Sequence, residues 1–202
     1  MTNLFLCSFA SPDLNNSVKR FVKQSKEISL YKEVKVYGWE DLTLNKKKQI
    51  DLFFEKKNKR LFGYASWKPE IILQNLSLIP DNSILQYSDI GCHLLKNGSN
   101  KLRDYLKIVD ETDILAFQYK QPDFTIDTKL KYQIYYENQY TKEDLFEYFH
   151  LDKDSPIRFS EQIWSGTMFF KKNIKTKKLL MKWAEVCNLS NLIDDSPSKK
   201  KK

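Results

Sequence analysis

The chain has 202 residues, 41% of them hydrophobic and 14% aromatic, which suffices to bury one core of ordinary size but makes two domains a stretch. Its net charge of +8 owes four units to a terminal run, Lys199 to Lys202; without that run 30 basic residues face 26 acidic ones, and a mild +4 argues against a dedicated nucleic-acid-binding face. Three cysteines without close spacing argue against a disulfide framework and a zinc site, and no run of about 18 apolar residues exists to span a bilayer.

The opening "NLFLCSFASPD" is apolar and rich in strand formers, which predicts a buried strand over residues 3–9 with a loop at Ser11-Pro12-Asp13. Leu14, Val18, Phe21 and Val22 then recur at helical spacing with lysines between them, so an amphipathic helix follows. "EVKVYGW" alternates as a second strand, and "LNKKKQIDLFFEKKNK" is helical through Ile50, Phe53 and Phe54. The next helix begins just beyond Pro69, where proline suits the first turn.

"DNSILQYSD" predicts a turn and a third strand, "NKLRDYLKIVDET" a helix and "DILAFQY" a fourth strand. "TKEDLFEYF" carries a helix start with Thr141 as its candidate cap. "GTMFF" is the last strand, and "IKTKKLLMKWAEVCN" is the last helix. Strands and helices alternate through the first 120 residues, which implies an α/β layer structure with a mainly parallel sheet in one domain, residues 1–198. The end, "DDSPSKKKK", reads as disordered. Residues 199–202 read as a solubility tail, with a natural polybasic tail against acidic lipid as the alternative.

In open α/β sheets ligands bind at the carboxyl ends of the strands, and Asp89 sits at that end of the third strand. The same edge holds Ser8 to Ser11 and the segment "GYASWKP", residues 63–69. A carboxylate there is a hard oxygen ligand suited to magnesium or manganese, and Gly91 leaves room for close approach to the backbone. Tyr64, Trp67 and Lys68 offer aromatic faces beside an ammonium group, a combination that suits a base or sugar ring bearing a phosphate. The alternatives are a turn cap at Asp89 and an aromatic core plug at Trp67. His93 and His150 have no second His or Cys at ligand spacing and read as structural or exposed.

"GYASWKPEIIL", "DNSILQYSDIGC" and "QIWSGTMFFKKN", in that order, resemble a family of bacterial and viral glycosyltransferases of the GT-A type, which act in surface polysaccharide synthesis, lipopolysaccharide or capsule. The resemblance spans roughly residues 3–198 and implies a GT-A, nucleotide-diphospho-sugar transferase fold. It implies a hexosyltransferase that moves a sugar from a nucleotide sugar, UDP-sugar favoured, to a glycan or lipid-linked acceptor. Asp89 matches the last acid of the metal motif and would hold Mn2+ or Mg2+ at the diphosphate, while Tyr87 stands where the usual motif has its first aspartate.

By the same resemblance Ser8, Phe9 and Ala10 would border the nucleoside, and Tyr64, Trp67 and Lys68 would contact the donor, Lys68 as the phosphate partner. Glu161 and Gln162 would touch the transferred sugar or the acceptor, with Glu161 the candidate base, and Gly166 would let the backbone pass near the sugar. Phe169 reads as core packing. The family continues past "IDDSPS" into a stretch bearing His and Asp, whereas this chain runs into lysines, so it is expected to be C-terminally truncated. A cytoplasmic protein follows, with peripheral contact at the inner face of the membrane as an alternative and no specific nucleic-acid partner. Two rival functions remain: a catalytically impaired nucleotide-sugar-binding or scaffold protein, and a nucleic-acid-binding protein.

Overall fold

A computed structural model describes residues 3–119 and 135–198; the lysine tail lies outside the described residues. In chain order the elements are β1 (Leu4–Phe9), α1 (Asn15–Ile28), β2 (Tyr31–Tyr37), α2 (Leu44–Glu55), a short turn α3 (Leu61–Tyr64), α4 (Lys68–Leu78) and β3 (Ile84–Ser88). They continue with α5 (Ser99–Thr112), β4 (Ile114–Gln118), the short helices α6 (Glu137–Tyr140) and α7 (Glu143–Tyr148), β5 (Ile163–Lys171), α8 (Ile174–Asn188) and α9 (Ser190–Ile193). No helix among the described residues is long and apolar enough to cross a membrane.

The fold is α/β, a five-stranded sheet in the order β2-β1-β3-β5-β4 flanked by helices, and its general arrangement is consistent with a Rossmann-like fold. Strands β2, β1 and β3 are parallel, but β5 pairs antiparallel with both β3 and β4. The sheet is therefore mixed, which corrects the expectation of a mainly parallel one. The reason lies between β4 and β5, where no long crossover helix is found among the described residues, so β5 returns against its neighbours.

Strand alternation splits the core into two faces. Cys7, Phe9, Leu85, Tyr87, Met168 and Phe170 meet Ile71, Ile72, Leu76 and Leu180 of α4 and α8. On the other face Leu4, Ile84 and Phe169 meet Leu102 and Val109 of α5, while Leu6 and Ala10 meet Phe21 of α1.

Two local readings change. Thr141 does not cap α7: the N-cap is Lys142 without a side-chain cap, and the Thr141 hydroxyl donates to Glu137 instead. The segment "DDS", expected to be disordered, is bound to the body. Lys142 holds Asp194 at 2.8 Å and Arg60 holds Asp195 at 2.8 Å. Both contacts join residues far apart in sequence, beyond the reach of a compositional reading.

Candidate functional site

The connection from β1 through α1 leads to β2 on one side, and the chain later crosses back to place β3 on the other side of β1. This reversal opens a crevice beyond the carboxyl ends of β1 and β3, the general place for ligands in such sheets. A cleft of about 310 Å3 lies there. Phe9, Trp67, Lys68, Asp89, Gly91 and Gly166, six of the residues expected at the donor site, are all among its lining.

Asp89 is held at both ends of its peptide. Its N–H donates to the Gly166 carbonyl (2.8 Å), and its own carbonyl accepts from the Cys92 N–H (2.8 Å). From the α1 side, Arg20 donates to the carbonyls of Ile90 (2.6 Å) and Cys92 (2.9 Å), fixing the turn that follows. The Asp89 side-chain Oδ1 accepts from the Tyr87 hydroxyl at 2.6 Å and pairs with Lys68 Nζ at 2.9 Å. Burial, reinforced by the Asp89 charge, keeps the Tyr87 hydroxyl protonated well above its ordinary pKa.

Lys68 is buried, its side chain 5% exposed, whereas that of Asp89 is 42% exposed. Besides Asp89, the ammonium donates to the carbonyl (3.0 Å) and hydroxyl (3.2 Å) of Ser165. Three acceptors use its three N–H groups, so Lys68 positions Asp89 and Ser165 and keeps no donor for a phosphate. With Asp89 Oδ1 so engaged in a half-exposed side chain, Oδ2 is the carboxylate oxygen left for a ligand.

The second wall has an unusual backbone. Leu61, Phe62, Gly63, Tyr64 and Ala65 all have positive φ, from 47° to 85°, a left-handed helical turn of five residues. Each L-residue in that conformation costs about 1–2 kcal/mol, so the surroundings must hold it. Phe62 packs edge-on against Trp39 (5.8 Å) and Phe54 (5.3 Å), and its carbonyl accepts from the Trp67 indole N–H at 3.2 Å. Gly63 fits where a β-carbon would meet Ile50 Cγ1 at 2.7 Å. Tyr64 packs on Phe53 at 4.9 Å and donates its hydroxyl to Asp195 at 3.2 Å.

The remaining predicted residues lie elsewhere. Tyr64 points to Asp195 and is not among the cleft lining. Ser8 is fully buried with an unpartnered hydroxyl, and Ala10 packs in the α1 face; neither lines the cleft. Tyr87 acts through Asp89 rather than by contact. Trp67 is largely a core plug, stacked on Phe9 with ring centroids 4.0 Å apart.

Glu161 and Gln162 precede β5, five and four residues before Gly166, which on an extended chain is roughly 13–17 Å away. Gln162 donates instead toward Glu137 and Thr141 at 3.3 Å. Gly166 serves a different end from the one expected: the space above it is taken by the Trp164 indole, which a β-carbon would overlap.

Trp164, 39% exposed and lining the cleft, was not singled out for the site, and neither was Ser165. Their signal was present in "QIWSG", where an aromatic and a hydroxyl precede the glycine. Phe169, by contrast, is core at 1% exposure, as its position in the strand suggested.

No group of three or more His, Cys, Asp or Glu that could hold a metal ion occurs among the described residues. Asp89 Oδ2 fits a divalent cation only as one ligand among substrate phosphates and waters, an arrangement magnesium accepts. Compared with known proteins, the chain matches no protein-family model and no curated protein.

Proposed function

We propose that the chain is a GT-A-type glycosyltransferase domain that binds a nucleotide sugar, a UDP-sugar in preference, in the cleft at Asp89. It transfers the sugar to a glycan or lipid-linked acceptor of surface polysaccharide synthesis, in the cytoplasm or at the inner face of its membrane. One observation carries the reading: the crevice between β1 and β3 gathers Phe9, Trp67, Asp89 and Gly91 around a carboxylate held in place by Lys68 and Tyr87.

Phe9, Leu14, Leu61 and Phe62 give the cleft apolar lining that suits the flat face of a base, and Asp89 gives it a carboxylate. A Mn2+ or Mg2+ ion, when bound, neutralises the charge that builds on the diphosphate leaving group. Lys68 and Tyr87 hold Asp89 ready for that ion and spare it reorganisation. Since the Lys68–Asp89 pair is formally neutral, the attraction for a cation is weaker than at a paired-carboxylate site, so the metal binds with its substrate rather than before it.

A thermal-shift screen of UDP, GDP and CMP and their sugars, with and without manganese, tests this. One nucleotide should raise the melting temperature, and manganese should enlarge the shift in the parent chain but not in Asp89→Ala. No shift with any nucleotide would refute the reading. A second reading, a donor-binding protein without efficient transfer, draws on one observation: Asp89 is the single carboxylate among the described lining residues, and it is tied to Lys68. Nucleotide binding without hydrolysis or transfer of the sugar would select it.

A further inference from the structure

The left-handed turn is held from two sides. Leu61, Phe62 and Ala65 line the cleft. Asn58, Arg60 and Tyr64, which bracket the same turn, bond to a strap 131 to 137 residues further along the chain. One carboxylate spans both flanks of the turn. Asp195 Oδ1 accepts from Arg60 at 2.8 Å, while Oδ2 accepts from Asn58 at 3.0 Å and from the Tyr64 hydroxyl at 3.2 Å. The Asp195 N–H donates back to the Tyr64 oxygen at 3.3 Å, and Asn58 Oδ1 accepts from the Arg60 N–H at 3.0 Å.

The strap has its own anchor, away from the turn. Lys142, at the start of α7, pairs with Asp194 at 2.8 Å and donates to the Ser196 hydroxyl at 2.9 Å. Those two charged side chains are only 12% and 13% exposed, so salt screens them little. The Arg60–Asp195 pair is far more exposed and holds weakly. Lys142 therefore fixes the strap to the body, and the hydrogen bonds of Asn58 and Tyr64 fix the turn to the strap. Four of the five residues in that turn carry β-carbons, for which a left-handed backbone is unfavourable. Local preference thus opposes the observed conformation, and an element held against its preference from two sides couples those sides.

We infer that residues 194–196 are a conformational latch on the cleft. With the latch closed the wall is left-handed and the cleft is formed. With it open the wall leaves that conformation, and the cleft loses Leu61, Phe62 and Ala65 from its lining. The latch stands on these contacts alone; only the identity of its ligand as a nucleotide rests on the function proposed above. By linkage, a ligand bound against the wall tightens the latch by the same factor that the closed latch tightens the ligand. Anything that draws Asp194 and Asp195 off the body weakens binding in a cleft it does not touch.

Trypsin reads the state of the wall, because Lys56, Lys57, Lys59 and Arg60 stand exposed just before it. Cutting there needs the backbone to open locally, so its rate follows the open population. Mass spectrometry follows cleavage after Lys59 and Arg60, with cleavage after the exposed Lys107 in α5 as the control for general loss of stability. Two variants separate the parts. Tyr64→Phe removes one hydroxyl from the turn, and Lys142→Met frees Asp194 without touching the turn. UDP thermal shifts and UDP protection against trypsin run in parallel on all three proteins.

Cleavage at the wall should rise about fivefold in Tyr64→Phe and about tenfold in Lys142→Met, with cleavage after Lys107 unchanged. UDP should slow it in the parent and bind both variants more weakly. Unchanged cleavage at the wall in both variants overturns the latch, and so does a rise matched after Lys107. A rise in Tyr64→Phe without one in Lys142→Met marks a local contact and overturns it as well. UDP binding of equal affinity in all three proteins overturns the control of the cleft and leaves the donor reading intact. Faster cleavage at the wall in both variants, in a chain whose melting temperature no nucleotide raises, supports the latch and overturns the nucleotide as its ligand.

Discussion

The two faces of β3 enclose different chemistry within one peptide of each other. Tyr87 belongs to the α4–α8 face and steadies Asp89 from the buried side, where a lysine is locked among three acceptors. Gln86, its neighbour, faces the opposite side, where its amide accepts from Tyr31 and donates to Ser88 in a neutral hydrogen-bonded chain. The period of two along a strand separates them. A charged cluster and a neutral hydrogen-bonded chain are thus built from adjacent residues, and what differs is the charge they carry.

Removing the aromatic plug breaks the comparison most severely. Trp67→Ala deletes a buried ring stacked on Phe9 and a hydrogen bond to the left-handed wall, and should cost about 3–5 kcal/mol in urea unfolding. Nucleotide shifts should vanish in whatever fraction stays folded. Gly166→Ala acts on the cleft by expelling the Trp164 indole. It should cost about 1–3 kcal/mol and change the indole's fluorescence and quenching.

Lys68→Met sharpens the contrast, since it takes no partner from the Tyr31–Gln86–Ser88 chain on the opposite face. It removes the partner of a half-exposed carboxylate and the donor to Ser165, for a loss of about 1–2 kcal/mol by urea unfolding. With the neutralising ammonium gone, manganese should bind Asp89 more readily without nucleotide, measured by paramagnetic broadening.

Acid acts last and least. Burial would raise the Asp194 pKa, but hydrogen bonds from Lys142 and Ser196 hold it below 3.8. The Asn58 hydrogen bond, followed by Arg60, does the same for Asp195. Groups depressed on folding stabilise the fold above their unfolded pKa and lose that contribution as pH falls through the folded value. Protection factors in residues 61–65, exchange rates corrected for the intrinsic pH dependence, should therefore be unchanged from pH 7 to 5 and should fall below pH 3.8, ahead of global unfolding.

Much of this was legible in the chain itself. An isolated Asp at the end of "ILQYS" and the Trp-Lys-Pro helix start both landed in the cleft, because strand end and helix start are local properties. The engagement of Lys68 with Ser165 spans 97 residues and leaves no trace in local pattern. Glu161 was expected at the site from the resemblance alone, and β5, starting at Ile163, sets it five residues before Gly166. A left-handed run through Leu, Phe, Tyr and Ala opposes every propensity of those residues, so only tertiary contacts dictate it.

Those contacts set an order of events. The turn that walls the cleft lies in the first third of the chain, yet Asp195, which holds Tyr64 and Asn58, is separated from Asn58 by 137 residues. A ribosome adding about 5–20 residues per second needs roughly 7–27 s to cover that interval. Through that time the nascent sheet has β1 and β3 but lacks the clasp on its own wall. The crevice wall gains its clasp only once Asp195 has been added, long after β1 and β3 have been made.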